Sequence, residues 1–198
     1  MNKTPLYGVR IKSCEGVYSP AEDSFLLAEA LDVDFGASVL DMGCGSGFLG
    51  LVAAKTAGRV LSVDVNQSAL ECTEQNACLN GSTNLEVRRS DLFSNIAESF
   101  DFILFNPPYL PTEEGEPRDA VSLAWDGGQS GRDVIDRFLA DVSSYLNLGG
   151  VVYLLGSSLS DYEKTISVLE SYGFQISLVA RRKLDFEELV VMLAVYDF

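Results

Sequence analysis

From residue 38 onward, short apolar runs rich in β-branched residues alternate with stretches in which apolar residues recur at helical spacing. This alternation is typical of a parallel sheet covered by helices on both faces, because each crossover between parallel strands leaves room for a helix. No linker or internal repeat interrupts the pattern. With 198 residues, 47% of them apolar, the chain has the size and composition of a single globular domain.

The same pattern predicts where each element lies. We predict strands over residues 38–41, 60–63, 85–88, 100–105, 151–155, 174–179 and 189–196, and helices over 48–56, 67–79, 134–146 and 162–171. An earlier helix is predicted to start with Ser19 as its N-cap and Pro20 as its first residue. Residues 181–183, a basic cluster of two arginines and a lysine, then fall in the turn between the last two strands.

Two features of the composition exclude whole classes of chemistry. The chain has no histidine, which removes imidazole bases, Ser-His and Cys-His nucleophiles and histidine-ligated metals. Its 14 basic and 29 acidic residues give a net charge of −15, which disfavours stable binding to nucleic-acid phosphates and favours a basic partner surface. We therefore expect no metal site and no stable nucleic-acid complex.

The cysteines and the apolar runs bear on the compartment. Cys14, Cys44, Cys72 and Cys78 form no CxxC pair, so we predict reduced, separate thiols. The first twenty residues lack the apolar core of a signal peptide, and the apolar run over 189–196 is too short to span a bilayer. These patterns predict a soluble cytoplasmic protein without membrane contact.

A glycine-rich loop joins the strand at 38–41 to the next helix. Small residues in the stretch from Asp41 through Gly43 and Gly45 to Gly47 let a ligand approach backbone N–H groups and the positive end of a helix. Asp64 ends the second strand, where an acid can accept both hydroxyls of a ribose. These features predict a cofactor that contains adenosine, and both NAD and S-adenosylmethionine are compatible with them. The alternative is that the glycine-rich loop is a tight turn that binds no ligand.

The tetrapeptide Asn106-Pro107-Pro108-Tyr109 decides between these cofactors. It directly follows the fourth strand, at the edge of the sheet where α/β proteins bind substrates. The side-chain oxygen of Asn106 and the carbonyl of Pro107 can each accept one N–H of a planar nitrogen, and Tyr109 can stack on that group. Methyl transfer to an amide or a nucleobase amine, and hence S-adenosylmethionine, is the favoured chemistry. In isolation, two prolines after a strand would simply end it.

These motifs together resemble the class I S-adenosylmethionine-dependent methyltransferases, and within them the HemK-type release-factor glutamine methyltransferases. The resemblance runs from residues 17–24 through the glycine loop and the tetrapeptide to residues 124–138. Bacterial members carry a separate helical domain, for which the residues before Tyr18 leave no room, so the chain resembles the short eukaryotic and archaeal branch.

The resemblance implies an architecture. It is a Rossmann-like fold with a seven-stranded, mostly parallel sheet in the order 3-2-1-4-5-7-6, an antiparallel last strand and helices on both faces. Residues 1–198 would form a single methyltransferase domain, in which 1–35 are a cofactor-covering segment and helix and 36–198 the catalytic core.

The implied activity is N5-methylation of the glutamine in the Gly-Gly-Gln motif of the class 1 peptide release factor, with S-adenosyl-L-homocysteine as the second product. Implied cofactor contacts are Ser24, Asp41, Gly43, Gly45, Asp64, Asp91 and Asn106. Asn106, Pro107 and Tyr109 are the implied catalytic residues, and Pro108 completes the substrate cradle.

A partner is implied as well. Members of this branch resemble subunits that need a small zinc-binding activator, which covers an apolar surface and pairs with a sheet edge as a heterodimer. In the implied strand order, residues 85–88 form an edge strand, where we expect the pairing. The alternative is an edge that Arg88 and Arg89 merely protect.

Other functions stay open at this level. A nucleic-acid adenine-N6 or cytosine-N4 methyltransferase could use the same tetrapeptide. Protein lysine methylation could be a secondary activity, and an interaction module that binds S-adenosylmethionine would need no catalysis.

The basic cluster at 181–183 would lie at the substrate rim or form a solvated turn. Trp125 is read as a buried aromatic in a turn beside the active-site mouth. Gly127-Gly128-Gln129 repeats the substrate motif, and self-methylation at Gln129 is a hypothesis beside simple coincidence.

Overall fold

The computed structural model describes residues 7–112 and 124–196, and within them seven strands form one sheet. The strands are β1 Ser38–Met42, β2 Arg59–Asp64, β3 Leu85–Arg89, β4 Phe100–Phe105, β5 Leu146–Ser157, β6 Phe174–Lys183 and β7 Glu188–Tyr196. Their order is β3-β2-β1-β4-β5-β7-β6. The first five strands are parallel, and β7 runs antiparallel to both β5 and β6. The predicted fold class is confirmed.

Five α-helices lie within the described ranges, the first ahead of β1 and the other four between strands. They are α1 Glu22–Ala30, α2 Phe48–Ala53, α3 Gln67–Asn80, α4 Asp133–Asp141 and α5 Tyr162–Ser171. The prediction of one helix over 134–146 was wrong at its end, because α4 stops at Asp141 and a 3-10 turn follows over Val142–Tyr145. Leu146 pairs with Phe100 of β4, so sheet pairing takes over where helical spacing alone continued the helix. Within the described part of the chain, each helix is too short or too polar to cross a membrane.

Other boundaries differ from the prediction as well: α2 ends at Ala53 instead of residue 56, and β5 covers Leu146–Ser157 instead of 151–155. Helix α1 starts at Glu22 with Ala21 at its N-cap, so the prediction of Ser19 and Pro20 as its first residues was wrong. Strand β6 continues to Lys183, which pairs with Glu188 of β7. The basic cluster at 181–183 therefore belongs to a strand, since pairing with β7 extends β6 beyond its apolar part.

Both faces of the sheet are buried. In β4, Ile103 packs into one apolar cluster with Phe138 of α4, whereas the next residue, Leu104, packs into a second cluster with Leu27 of α1. Successive side chains of a strand point to opposite faces, which explains why the central strands read as continuous apolar runs. The candidate site lies at the carboxyl edge of the sheet.

Candidate active site

A cavity of about 510 Å³ opens at the carboxyl ends of β1, β2 and β4. Its volume is in the range of pockets that hold small ligands and cofactors. The predicted site residues that line it are Ser24, Gly43, Gly45, Asp64, Asp91, Asn106, Pro107, Pro108 and Tyr109. The topology thus brings together all of the predicted site residues except Asp41, from five separate stretches of sequence.

The glycine loop between β1 and α2 leaves room beside its backbone. Gly43, Gly45 and Gly47 have φ values of 65°, 53° and 79°, a left-handed region that favours glycine. A Cβ added at Gly43 would approach only Phe105, at 3.5 Å, and one at Gly45 only the Tyr18 carbonyl, at 3.9 Å. The space next to these two cavity-lining residues is therefore open to a ligand, as the sequence predicts.

Asp64 holds the glycine loop in place from the end of β2. Its Oδ2 accepts the Gly45 N–H at 3.0 Å, and its Oδ1 accepts the Asn66 N–H at 2.9 Å. Burial raises the pKa of Asp64, and these backbone hydrogen bonds oppose the rise. Each carboxylate oxygen keeps a further lone pair, so Asp64 can still accept hydroxyl donors from the cavity.

Asp41 has a different location from the one predicted. It lies behind the cavity wall, 1% exposed, where its Oδ2 accepts the Gly50 N–H at 3.0 Å and the Ser62 hydroxyl at 3.1 Å. A Cβ at Gly50 would come within 2.6 Å of Asp41, so this glycine allows α2 to pack onto β1. Asp41 supports the loop from below instead of lining the cofactor cavity.

An N-terminal strap, residues 9–18, closes one side of the cavity with Val17 and Tyr18. Helix α3 holds the strap through two asparagines: Asn76 hydrogen-bonds both the N–H and the C=O of Lys12, and Asn80 does the same for Arg10. Each amide side chain thus makes the two hydrogen bonds to the strap backbone that a neighbouring strand would make.

A disulfide bond between Cys14 and Cys72 adds a covalent link from the strap to α3. The prediction of four reduced thiols was wrong for this pair, while Cys44 and Cys78 are free. Spacing could not reveal the bond, because the two cysteines are 58 positions apart and meet only through the packing of strap on helix.

The amide of Asn106 has a fixed orientation. Its Nδ2 donates to Asp23 Oδ2 at 2.9 Å and lies 3.4 Å from the Ser24 hydroxyl. Its Oδ1 is buried and lacks a hydrogen-bond partner among residues 7–112 and 124–196. A buried acceptor without a partner costs about 1–3 kcal/mol, so its presence beside a cavity indicates a place for a donor from a ligand.

Asp23 is a site residue that the sequence reasoning missed. It is 6% exposed and lines the cavity, where it also accepts the Tyr18 hydroxyl at 3.1 Å and the Ser24 N–H at 2.6 Å. The signal was an acid in the first turn of the helix, which is equally typical of a helix start. Only the meeting of α1 with the end of β4 distinguishes the two roles.

Two tyrosines, Tyr18 and Tyr109, line the cavity close to acidic side chains. Burial, the Asp23 charge and the Glu187 charge raise the pKa of Tyr109 far above its ordinary value. Burial and the Asp23 charge raise the pKa of Tyr18 in the same way. Both phenols therefore stay neutral, and Tyr109 lines the cavity.

The segment after the gap in the described residues packs onto the tetrapeptide. Leu110 donates its N–H to the Trp125 carbonyl, and Gly127 donates its N–H to the Leu110 carbonyl, both at 2.8 Å. A Cβ at Gly127 would lie 2.7 Å from the Pro108 carbonyl, so only glycine allows this approach. Trp125 is half-buried and lines the cavity, whereas Gln129 is exposed outside the cavity lining. This position gives no support to self-methylation within one chain.

The far end of the cavity carries an ion pair. Asp91, which follows β3, pairs with Arg137 of α4 at 2.8 Å, and both side chains are more than half exposed. Arg137 was missed because helical spacing predicts a helix here and does not show which of its polar side chains meets the loop after β3. The pair connects the loop after β3 with α4 across the cavity wall.

Comparison with known proteins finds methyltransferases. A family model described as the methyltransferase small domain matches residues 8–122. A putative protein N5-glutamine methyltransferase of Methanocaldococcus jannaschii is 43% identical, over 93% of this chain and 94% of the relative. The eRF1 methyltransferase catalytic subunit mtq2 of Schizosaccharomyces pombe is 31% identical, over 97% of this chain and 95% of the relative.

A solved structure shares the fold. The E. cuniculi Mtq2-Trm112 complex, described as responsible for methylation of the eRF1 translation termination factor, has a chain that superposes with a TM-score of 0.73. The two sequences are 28% identical, and the match covers 92% of this chain and 99% of that one.

Proposed function

The chain belongs to the methyltransferase small-domain family, in its short eukaryotic and archaeal HemK-type branch, and we propose that it methylates a glutamine of a class 1 peptide release factor. The proposed acceptor is the side-chain amide nitrogen of the Gly-Gly-Gln motif. The observation that carries this proposal is the buried Oδ1 of Asn106, a cavity-lining residue: this acceptor has no partner in the described chain, and the NH2 group of the same amide is engaged by Asp23.

S-adenosylmethionine is the cofactor of this family, and the cavity fits it. When bound, it would supply an electrophilic methyl group to the amide nitrogen: the bond from sulfur to the methyl carbon breaks, the nitrogen releases one proton to water, and S-adenosyl-L-homocysteine remains. Gly43 and Gly45 leave the space that its methionine part needs, and Asp64 has free lone pairs for ribose hydroxyls. We propose that Ser24 and Asp91 complete its contacts. We further propose that residues 1–35 cover the cofactor and that 36–198 form the catalytic core.

A primary amide matches the acceptors at the end of β4. Its planar NH2 group has two donors, of which one fits Asn106 Oδ1 and the other the carbonyl of Pro107. Neither Pro107 nor Pro108 has an N–H that could compete for these acceptors. Accepting both hydrogens draws electron density onto the nitrogen, and stacking on Tyr109 orients it towards the methyl group. This arrangement suits a weakly nucleophilic amide better than a lysine ammonium.

Charge favours a protein substrate over a nucleic acid. The net charge is −15, and the arginines of the basic cluster are already paired: Arg182 with Glu22 and Glu29 of α1, and Arg181 with Glu188. Phosphate binding would have to break these pairs. A basic protein surface would instead be attracted by the acidic chain.

We propose a small partner protein on the free edge of β3. Val60 donates its N–H to the Asn84 carbonyl, and Ser90 donates to the Asp64 carbonyl, so alternate residues of β3 face β2. The intervening residues, Leu85, Val87 and Arg89, then direct their N–H and C=O groups outward. A partner strand could pair there. The proposed partner is a zinc-binding activator, as the resemblance implies.

Transfer of labelled methyl groups tests the proposed function. The acceptors are a class 1 release factor, its Gln→Ala variant at the Gly-Gly-Gln motif, bare DNA and tRNA, each with and without the small partner. We expect label only on the unaltered release factor. Asn106→Ala should still bind the cofactor but lose roughly 10²–10³ in turnover, as when one preorganised polar contact to a reacting group is removed. Label on nucleic acid or on the Gln→Ala variant would contradict the proposal.

A further inference from the structure

Among the residues that the structure describes, two phenylalanines are almost completely exposed, and they lie at opposite edges of the sheet. Phe35, 94% exposed, precedes β1 and lies at the amino edge, away from the cavity. Phe186, 93% exposed, lies in the turn over residues 184–187, which joins β6 to β7. Because β7 is antiparallel to β5, this turn stands at the carboxyl edge, where the cavity opens. Phe186 and Phe35 are almost equally exposed, and Phe186 differs in lying at the edge of the sheet where the cavity opens.

Strand register places the 184–187 turn beyond the active-site mouth. Phe105 of β4 pairs with Leu154 of β5, and β5 continues three residues further to Ser157, which pairs with Leu189 of β7. Asn106 is only one residue past Phe105. Since β5 lies between β4 and β7, the start of β7 is two strands, roughly 10 Å, from the end of β4. The turn therefore projects past the edge that carries Asn106.

The 184–187 turn is held rigidly. Leu184 donates its N–H to the Glu187 carbonyl at 2.8 Å, which closes the turn. The Ser157 hydroxyl donates to Glu187 Oε2 at 2.7 Å, and Glu188 donates its N–H to the Ser158 hydroxyl at 2.9 Å. These bonds fix the turn to the end of β5. An exposed aromatic ring on a fixed backbone has little conformational entropy to lose on binding.

We propose that the 184–187 turn is a docking ridge for the protein substrate and that Phe186 is its anchor. The inference rests on the proposed function, and it names the surface outside the cavity that a folded release factor would contact. Asp185 is exposed beside Phe186, and Glu187 adds a second acid. The turn carries these two acids, and the adjacent exposed Lys183 carries one base. The ridge thus fits a segment with an apolar side chain next to basic ones, and the net charge of −15 on the whole chain adds to the attraction.

Steady-state kinetics of Phe186→Ala with an intact release factor tests the inference. An aromatic side chain that anchors an interface contributes strongly to the binding free energy, so its loss should raise KM about tenfold or more. We expect kcat to stay within about twofold, because no reacting group changes. Affinity for S-adenosylmethionine, measured by calorimetry, should not change, and Phe186→Tyr should keep the original KM. Phe35→Ala is the matched control, and we expect it to leave both constants unaltered.

The outcomes separate the two proposals. An unchanged KM in Phe186→Ala, or an equal rise in Phe35→Ala, overturns the docking ridge while the proposed function stands. A fall in kcat at constant KM also overturns it. If the unaltered protein with its small partner transfers no methyl group to the release factor, the proposed function itself fails, and the ridge with it.

Discussion

The carboxylate of Asp23 lies 2.9 Å from the side-chain nitrogen of Asn106, although 83 positions separate the two residues in the chain. Asp23 comes from the first turn of α1, and Asn106 follows β4. A carboxylate can only accept hydrogen bonds, so it selects the NH2 side of the Asn106 amide and leaves the carbonyl oxygen for the proposed substrate. Asp23 is therefore a positioning residue for the proposed acceptor.

Asp23→Asn should impair methyl transfer through Asn106. The new amide can present either a donor or an acceptor, so the Asn106 amide is no longer held in one orientation. Loss of one hydrogen bond to a charged group is worth about 1.5–3 kcal/mol, which predicts a fall in turnover of about 10–100-fold. Single-turnover kinetics with saturating cofactor and release factor would measure it.

Glu22→Gln serves as the matched control for that variant. Glu22 is the preceding acid on α1, but its carboxylate is exposed and pairs with Arg182. Exposed pairs contribute at most about 1 kcal/mol to stability, and this one does not touch the amide cradle. We expect turnover near that of the unaltered protein. Equal losses in both variants would indicate a general effect of α1 and would contradict the positioning role.

The sequence predicts the fold because its central strands are buried on both faces. Continuous apolar runs that alternate with short helices are compatible with few folds other than a parallel sheet covered by helices on both faces. Strand ends were less predictable: Leu146 joins β5 and Arg181 stays in β6 because they pair with Phe100 and Val190, and pairing is a property of the neighbouring strand.

The site was predictable where its residues stand in local motifs. The glycine loop and the Asn106 tetrapeptide were found because each follows a strand directly. Asp23 and the Cys14–Cys72 bond were missed because they depend on contacts between segments far apart in sequence. Neither helical spacing nor cysteine spacing carries that information.

Asp41→Asn should change how stability depends on pH. Burial raises the pKa of Asp41 to about 7, and the nearby Asp64 charge adds to the rise, while bonds from Ser62 and Gly50 oppose it. A carboxyl with a folded pKa above its unfolded value retains its proton longer in the folded state. The free energy of unfolding thus falls as pH rises from about 4 to about 7 and then levels off.

Urea denaturation of the two proteins across this pH range measures the effect. The free energy of unfolding of Asp41→Asn minus that of the unaltered protein should increase with pH, by on the order of 4 kcal/mol over the window. A difference that is constant with pH would contradict the assignment. Because Asp41 lies behind the cavity wall, cofactor affinity should change little, whereas Asp64→Asn, in the cavity lining, should weaken it about tenfold or more.

Cys14→Ser should destabilise the chain. The disulfide closes a loop of 58 positions between the strap and α3, and removing such a bond typically costs about 2–4 kcal/mol of unfolding free energy. Addition of a reductant to the unaltered protein should reproduce the loss. Cys78→Ser is the control, because Cys78 is free and exposed on the same helix. Equal stability of Cys14→Ser and the unaltered protein without reductant would show that the bond does not form in solution.

Val87→Pro should prevent binding of the proposed small partner without unfolding the sheet. The N–H of Val87 faces away from β2, so proline removes an outward donor and places its ring where a partner strand would pair, as natural edge strands do. We expect partner affinity, measured by calorimetry, to fall by at least about tenfold, while the melting temperature stays close to that of the unaltered protein. Val87→Thr keeps the N–H and the branched shape and should bind normally. Glu86→Pro removes an N–H that faces β2, so it should lower the melting temperature instead. Undiminished binding by Val87→Pro would exclude the β3 edge as the partner site.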